Sequence, residues 1–265
     1  MSPLLAVCVA VLILAVATTV IVAVTLRAPH HDATAGAAGA SSPSRPAGPT
    51  ISCAYGPGVT GAGTPAPVPP ADEPADGSTH LTLATSRGTI GIAVDHGPAP
   101  CNTGAVVTLA SSGYYDGATC RRLSDYILMC GESASATETP TDIQELTSGP
   151  GWTSPDEFPT LPVTGGQDAY GRSQVTYPRG VVAVLNSDPH DRTSSSSGGG
   201  SSVFFIVIRP AVVAPIYALI GTVDATGMDT VDGIAAGGFE PIRPGAYWGL
   251  PRSPVTISAA TVTDG

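Results

Sequence analysis

The sequence predicts a mainly β fold: a closed eight-stranded antiparallel barrel with two short capping helices, preceded by a transmembrane helix and a disordered linker. Three observations carry that reading. Eight short strand-like runs are spread from Leu81 to Val262, two helix-spaced segments lie among them, and residues 28–79 carry almost none of the large apolar side chains a core needs. Closing short antiparallel strands into a barrel removes the exposed sheet edges that such strands would otherwise present.

Taken in order, Leu4 to Leu26 is uncharged and mostly apolar. At about 1.5 Å per residue, a helix over this run spans roughly 34 Å, enough for a bilayer core. Residues 1–27 are therefore read as a transmembrane anchor or signal-anchor. The competing reading is a cleaved signal peptide, whose apolar region of about 7–15 residues follows a basic start; Met1-Ser2-Pro3 has no Lys or Arg. Arg27 lies on the C-terminal side, and the positive-inside bias alone would place that side in the cytoplasm. Cysteine usage, below, argues for the opposite orientation. Residues 28–79 are dominated by Pro, Ala, Gly, Ser and Thr and read as a flexible linker, because they cannot bury enough surface to offset ordering. In such a tether His30-His31 beside Asp32 is read as solvated rather than as a metal set.

Residues 80–265 form the predicted domain. Leu81–Thr85 and Thr89–Val94 flank Ser86-Arg87-Gly88, a hairpin signal. Further strands are expected at Ala118–Leu123, Tyr126–Cys130, Val181–Asn186, Val203–Ile208, Tyr217–Val223 and Pro254–Val262. Pro100 to Ser111 reads as a helix: Ala105, Val106, Leu109 and Ala110 fall on one face, Pro100 suits the first turn, and Gly113 suits the stop. Met228 to Ala236 is a second helix, with Met228, Val231 and Ala235 in phase. Two regions are irregular: Glu132 to Arg179, read as an ordered long loop, and Asp188 to Ser202, a Ser/Gly-rich insertion. That insertion lacks the Lys of a phosphate-binding loop.

Charge and cysteine content narrow the function classes. The chain has no Lys, and 11 Arg stand against 21 Asp plus Glu for a net charge of -10, which excludes a nucleic-acid binder that works through the phosphate backbone. Apart from Cys8 in the apolar run, Cys53, Cys101, Cys120 and Cys130 form an even set suited to two disulfides in an oxidising compartment. An extracytoplasmic domain follows if they are paired. Four cysteines allow three pairings; if Cys120 and Cys130 sit on adjacent strands a bridge joins them, leaving Cys53 to tie the linker to Cys101. No Cys or His spacing implies a metal, and no cofactor is implied.

Tyr115-Asp116-Gly117 followed by Arg122, Phe204-Phe205-Ile206, and Tyr217-Ala218-Leu219-Ile220-Gly221 together resemble a cyclophilin, a peptidyl-prolyl cis-trans isomerase. Ser148-Gly149-Pro150-Gly151-Trp152 and Asp156-Glu157-Phe158 resemble two further family landmarks. The resemblance covers roughly Leu81 to Val262 and implies an eight-stranded barrel with helices over its ends. It also implies a catalytic role for Arg122, whose guanidinium is always charged and presents a rigid donor fork. Phe205 is matched to the proline pocket, and Tyr126, Ile127, Met129, Leu185, Asn186, Val213 and Tyr217 to the rest of the substrate groove. Strand alternation puts Arg121 on the face opposite Arg122, and Phe204 opposite Phe205.

Several matched positions depart from the family. A family glutamine is replaced by Met129 or Cys130, according to register, and a second by Val203. Leu185 replaces an alanine, Val212-Val213 stand where the family has Trp-Leu, and Tyr217 stands for a histidine. Taken with the apolar run and the even cysteine set, the resemblance points to a single-pass, membrane-anchored monomer with its domain outside the cytoplasm, which isomerises proline segments of unfolded or secreted proteins with reduced activity. The alternative is a catalytically impaired module of the same fold that binds proline-containing peptides.

Overall fold

The computed structural model describes residues 48–58, 65–136, 140–142, 148–186 and 200–265. The expected anchor (1–27) and the linker up to residue 47 lie outside the described residues, as does most of the Ser/Gly insertion. Among the described residues no helix is long and apolar enough to cross a membrane.

The stretch expected as a flexible linker carries structure from Gly48 onward. β1 (Thr50–Ser52) pairs antiparallel with β3 (Asp72–Pro74), and β2 (Gly56–Pro57) pairs later in the chain with β9 (Trp152–Thr153). Cys53 is disulfide-bonded to Cys101, and the Tyr55 hydroxyl donates to the Cys101 carbonyl at 3.1 Å. Composition underestimated this segment because a covalent bridge supplies ordering that its small side chains cannot.

β4 (Ser78–Thr85) and β5 (Gly88–Asp95) form the expected hairpin, with Leu81, Leu83, Ile90, Ile92 and Val94 alternating into the interior. Helix α1 (Pro100–Ser111) follows, with its expected bounds. The next expected strand is split into β6 (Thr119–Cys120) and β7 (Arg122–Ser124), before β8 (Ile127–Cys130). The region read as a long loop contains β9, β10 (Val163–Gln167) and β11 (Ser173–Tyr177). Then come β12 (Val181–Asn186), β13 (Gly200–Val207), β14 (Ala211–Val213) and β15 (Ala218–Val223). Helix α2 (Ala225–Ala236) starts three residues before Met228 because Asp224 caps it, accepting the Gly227 N–H at 2.6 Å. β16 (Phe239–Pro241), β17 (Trp248–Pro251) and β18 (Val255–Asp264) complete the chain.

The closed eight-stranded barrel does not form. Eleven strands make one curled, half-barrel sheet in the order β16-β17-β7-β8-β13-β12-β15-β5-β4-β18-β6. Its two ends are not joined by a ladder: β6 pairs with β18, while β7 pairs with β8 and β17, and Arg121 interrupts the strand between them. The Arg121 guanidinium donates to the Ala136 carbonyl at 2.6 Å, drawing this residue to a loop. A Cys120–Cys130 disulfide, not main-chain pairing, ties β6 to β8.

Register separates two faces. Leu123, Leu128, Ile206 and Val182 oppose one another across β7, β8, β13 and β12 and belong to the main interior core, which α1 closes with Ala105, Val106 and Leu109 and α2 with Met228, Val231 and Ile234. The neighbouring row, Arg122, Met129, Phe205 and Ala183, lies on the outer face, where Met129, Phe205 and Ala183 join a smaller cluster. Fully burying each large aliphatic or aromatic side chain contributes about 1.5–3 kcal/mol, so the two clusters dominate stability.

Candidate active site

The outer cluster floors a groove of about 660 Å³. Strand parity decides its key residue: Phe204 packs inward against Tyr115, with ring centroids 5.7 Å apart, and Phe205 must therefore face the groove. Phe205 meets Tyr217 edge-on at 5.1 Å and 90°, and Tyr177 stands behind both at 6.4 and 6.1 Å. Such edge-to-face pairs add about 0.5–1.5 kcal/mol beyond burial and fix ring orientation. The Tyr177 hydroxyl donates to the Tyr217 carbonyl at 3.1 Å and accepts the Tyr217 N–H at 3.2 Å. Burial pushes the Tyr177 phenol well above its ordinary range, so it stays neutral and able to donate. A largely buried aromatic wall of fixed orientation results.

The structure brings Tyr126, Ile127 and Met129 into this groove from one side, and Leu185, Phe205, Val213 and Tyr217 from the others. Met129, not Cys130, takes the groove position; Cys130 is bonded to Cys120. Asn186 is not brought in: its Nδ2 donates to Asp156 Oδ1 at 3.1 Å, away from the lining.

Arg122 is not in the lining either. It is 1% exposed and pairs with Glu132, itself 2% exposed, through Nη1···Oε2 at 3.3 Å and Nη2···Oε1 at 3.4 Å. Gly131 makes this pairing possible. Its φ of +106° reverses the chain after β8, and a Cβ at that position would lie 2.2 Å from the Ser202 carbonyl oxygen.

Sequence reasoning missed Glu132, Tyr177, Asp142 and Tyr247. Tyr177 had a usable signal, since Val175 and Tyr177 alternate between Gly171 and Pro178. Asp142 and Tyr247 reach the groove from irregular segments with no periodicity to read.

The remaining landmarks support the scaffold. Tyr115 is fully buried and donates to the Ser202 carbonyl at 3.0 Å; burial raises its pKa well above the ordinary value. Asp116 accepts the Ala260 N–H at 3.0 Å. Glu157 accepts the N–H groups of Cys101 and Asn102 at 3.0 and 2.8 Å, a carboxylate on the otherwise unsatisfied first turn of α1. Among the described residues, no group of His, Cys, Asp and Glu is placed to hold a metal ion.

A family model described as cyclophilin type peptidyl-prolyl cis-trans isomerase/CLD matches residues 80–262. The chain belongs to the cyclophilin family. Over 183 residues this cyclophilin is 30% identical to a probable peptidyl-prolyl cis-trans isomerase B of Mycobacterium tuberculosis, covering 68% of this chain and 53% of that protein. It is 29% identical over 215 residues to a probable peptidyl-prolyl cis-trans isomerase B of Mycobacterium leprae, covering 79% of this chain and 66% of that protein. The match thus spans about half the length of the first relative. Among solved structures, a cyclophilin type isomerase of Cryptosporidium parvum aligns with TM-score 0.45 and 14% identity over 71% of this chain and 99% of that one. A cyclophilin from Hirschia baltica aligns with TM-score 0.43 and 16% identity over 69% and 76%.

Proposed function

We propose that this cyclophilin is a peptidyl-prolyl cis-trans isomerase of reduced activity, acting on proline segments of unfolded or secreted proteins outside the cytoplasm. The observation that carries the reading is the apolar groove built on Phe205, Met129 and Tyr217 beside the Arg122 row. Rotation about an Xaa-Pro bond faces a barrier of about 18–20 kcal/mol set by amide resonance. Lowering it needs no nucleophile or proton shuttle. A dry pocket grips the proline ring, and a fixed cation or donor stabilises the twisted amide in which resonance is lost. Phe205, Leu185 and Tyr217 supply the grip, and Arg122 is the cation next to it.

Reduced activity follows from Glu132. Its carboxylate accepts from Arg122 Nη2 at 3.4 Å with Nη1 3.3 Å from Oε2, so the guanidinium is drawn to Glu132 and not to the groove lining. The same observation favours a second reading, a module that grips proline segments without accelerating their isomerisation.

A protease-coupled isomerisation assay on the full chain and on Arg122→Ala separates the two. The isomerase reading expects a measurable acceleration that the variant loses by about 10-fold or more, the scale on which about 1.4 kcal/mol of transition-state stabilisation acts. Equal rates for the two proteins would remove Arg122 from the chemistry; no acceleration, with a proline peptide still bound, would establish the second reading. Placement outside the cytoplasm, with a membrane anchor, is supported by the Leu4–Leu26 run and by two disulfides. Cysteine labelling of reduced intact cells by an impermeant reagent tests it: labelling only after permeabilisation would overturn the orientation.

A further inference from the structure

Charge in the groove points to a particular kind of proline segment. With Arg122 outside the lining, Asp142 is the sole charged side chain that lines it among the described residues. Tyr126 and Tyr247 also line it, and they are 55% and 70% exposed. Both features attract cations: a carboxylate by Coulomb attraction, a phenol ring by its quadrupole. Arg122, in the row beside the groove, is paired with Glu132. Arg209 lines an adjoining hollow and not the groove. Arg179 is held there by Asp232 in a two-point pair of 2.9 and 2.7 Å. The whole chain, at net charge -10, adds a long-range field of the same sign as Asp142.

We infer that the groove selects proline segments carrying a lysine or arginine next to the proline, with Asp142, Tyr126 and Tyr247 as the specificity-determining residues. The inference rests on the proposal that the groove receives proline peptides.

Fluorescence-anisotropy titration of the full chain with matched labelled peptides, bearing Lys, Gln or Glu beside a single proline, tests it. Exposed ion pairs and cation–π contacts of this kind each change affinity about two- to fivefold. The Lys peptide is therefore expected to bind more tightly than the Gln peptide, and the Glu peptide more weakly, with the spread narrowing at high salt. Asp142→Asn removes the charge and Tyr247→Leu the ring face while keeping apolar volume; each is expected to shrink the Lys-to-Glu ratio. Equal affinities for all three peptides would overturn the cation preference and leave the groove reading standing. Failure of every proline peptide to bind would overturn both.

Discussion

Arg122 and Glu132 bury a cation and an anion together beside Met129, and neither tolerates the loss of the other. Removing one member of such a pair leaves an uncompensated buried charge, which costs about 3–5 kcal/mol. Glu132→Ala is therefore expected to lower the unfolding free energy by about that amount in urea titrations. Glu132→Gln, which keeps an acceptor of similar shape, is expected to cost less. If Glu132→Ala unfolds at the wild-type midpoint, the pair does not hold this corner. The opposite faces of Phe204 and Phe205 were legible in the sequence because a strand alternates with period two, whatever surrounds it. The Arg122–Glu132 pair was not, since it depends on the reversal at Gly131 and on the β7–β8 register, both set by contacts distant in sequence.

Helix α1 illustrates the same division at the level of an element. Its bounds, Pro100 and Ser111, could be read from a proline suited to the first turn and from Gly113, whose φ is +74°. Its N-terminal acceptor could not: Glu157 lies 56 residues from Cys101, in a segment read as a loop. A carboxylate at a partly buried helix N-terminus contributes up to about 2 kcal/mol. Glu157→Ala is expected to lower stability on that scale and to raise amide exchange at Cys101 and Asn102 above that of the α1 centre. Unchanged exchange at those two amides would remove Glu157 from the cap. The split of the third strand has a similar origin. Ala118 to Leu123 carries a continuous strand pattern, but the Arg121 guanidinium binds a loop carbonyl and breaks the ladder there.

For the whole molecule, eight strand-like runs signalled a mainly β fold, but closure was not encoded in strand count; the compartment suggested by the even cysteine number and the apolar run stands as a proposal. What the curled sheet lacks in main-chain closure it gains from Cys120–Cys130, while Cys53–Cys101, with a sequence separation of 48, holds the β1–β3 segment to α1. Removing a native disulfide costs about 2–5 kcal/mol. The Cys53→Ser, Cys101→Ser double variant is expected to lose about that much stability and to become protease-sensitive between Gly48 and Pro74; resistance equal to wild type would show that the bridge is dispensable. In the proposed function, proline is held in the groove beside Phe205. The chain has three methionines, Met129 in the groove, Met228 in the interior and Met1 at the N-terminus, so methyl-labelled methionine NMR reads that place directly. Titration with a proline-containing peptide is expected to shift the Met129 methyl signal saturably while Met228 stays fixed; a saturable response that leaves Met129 unmoved would contradict it.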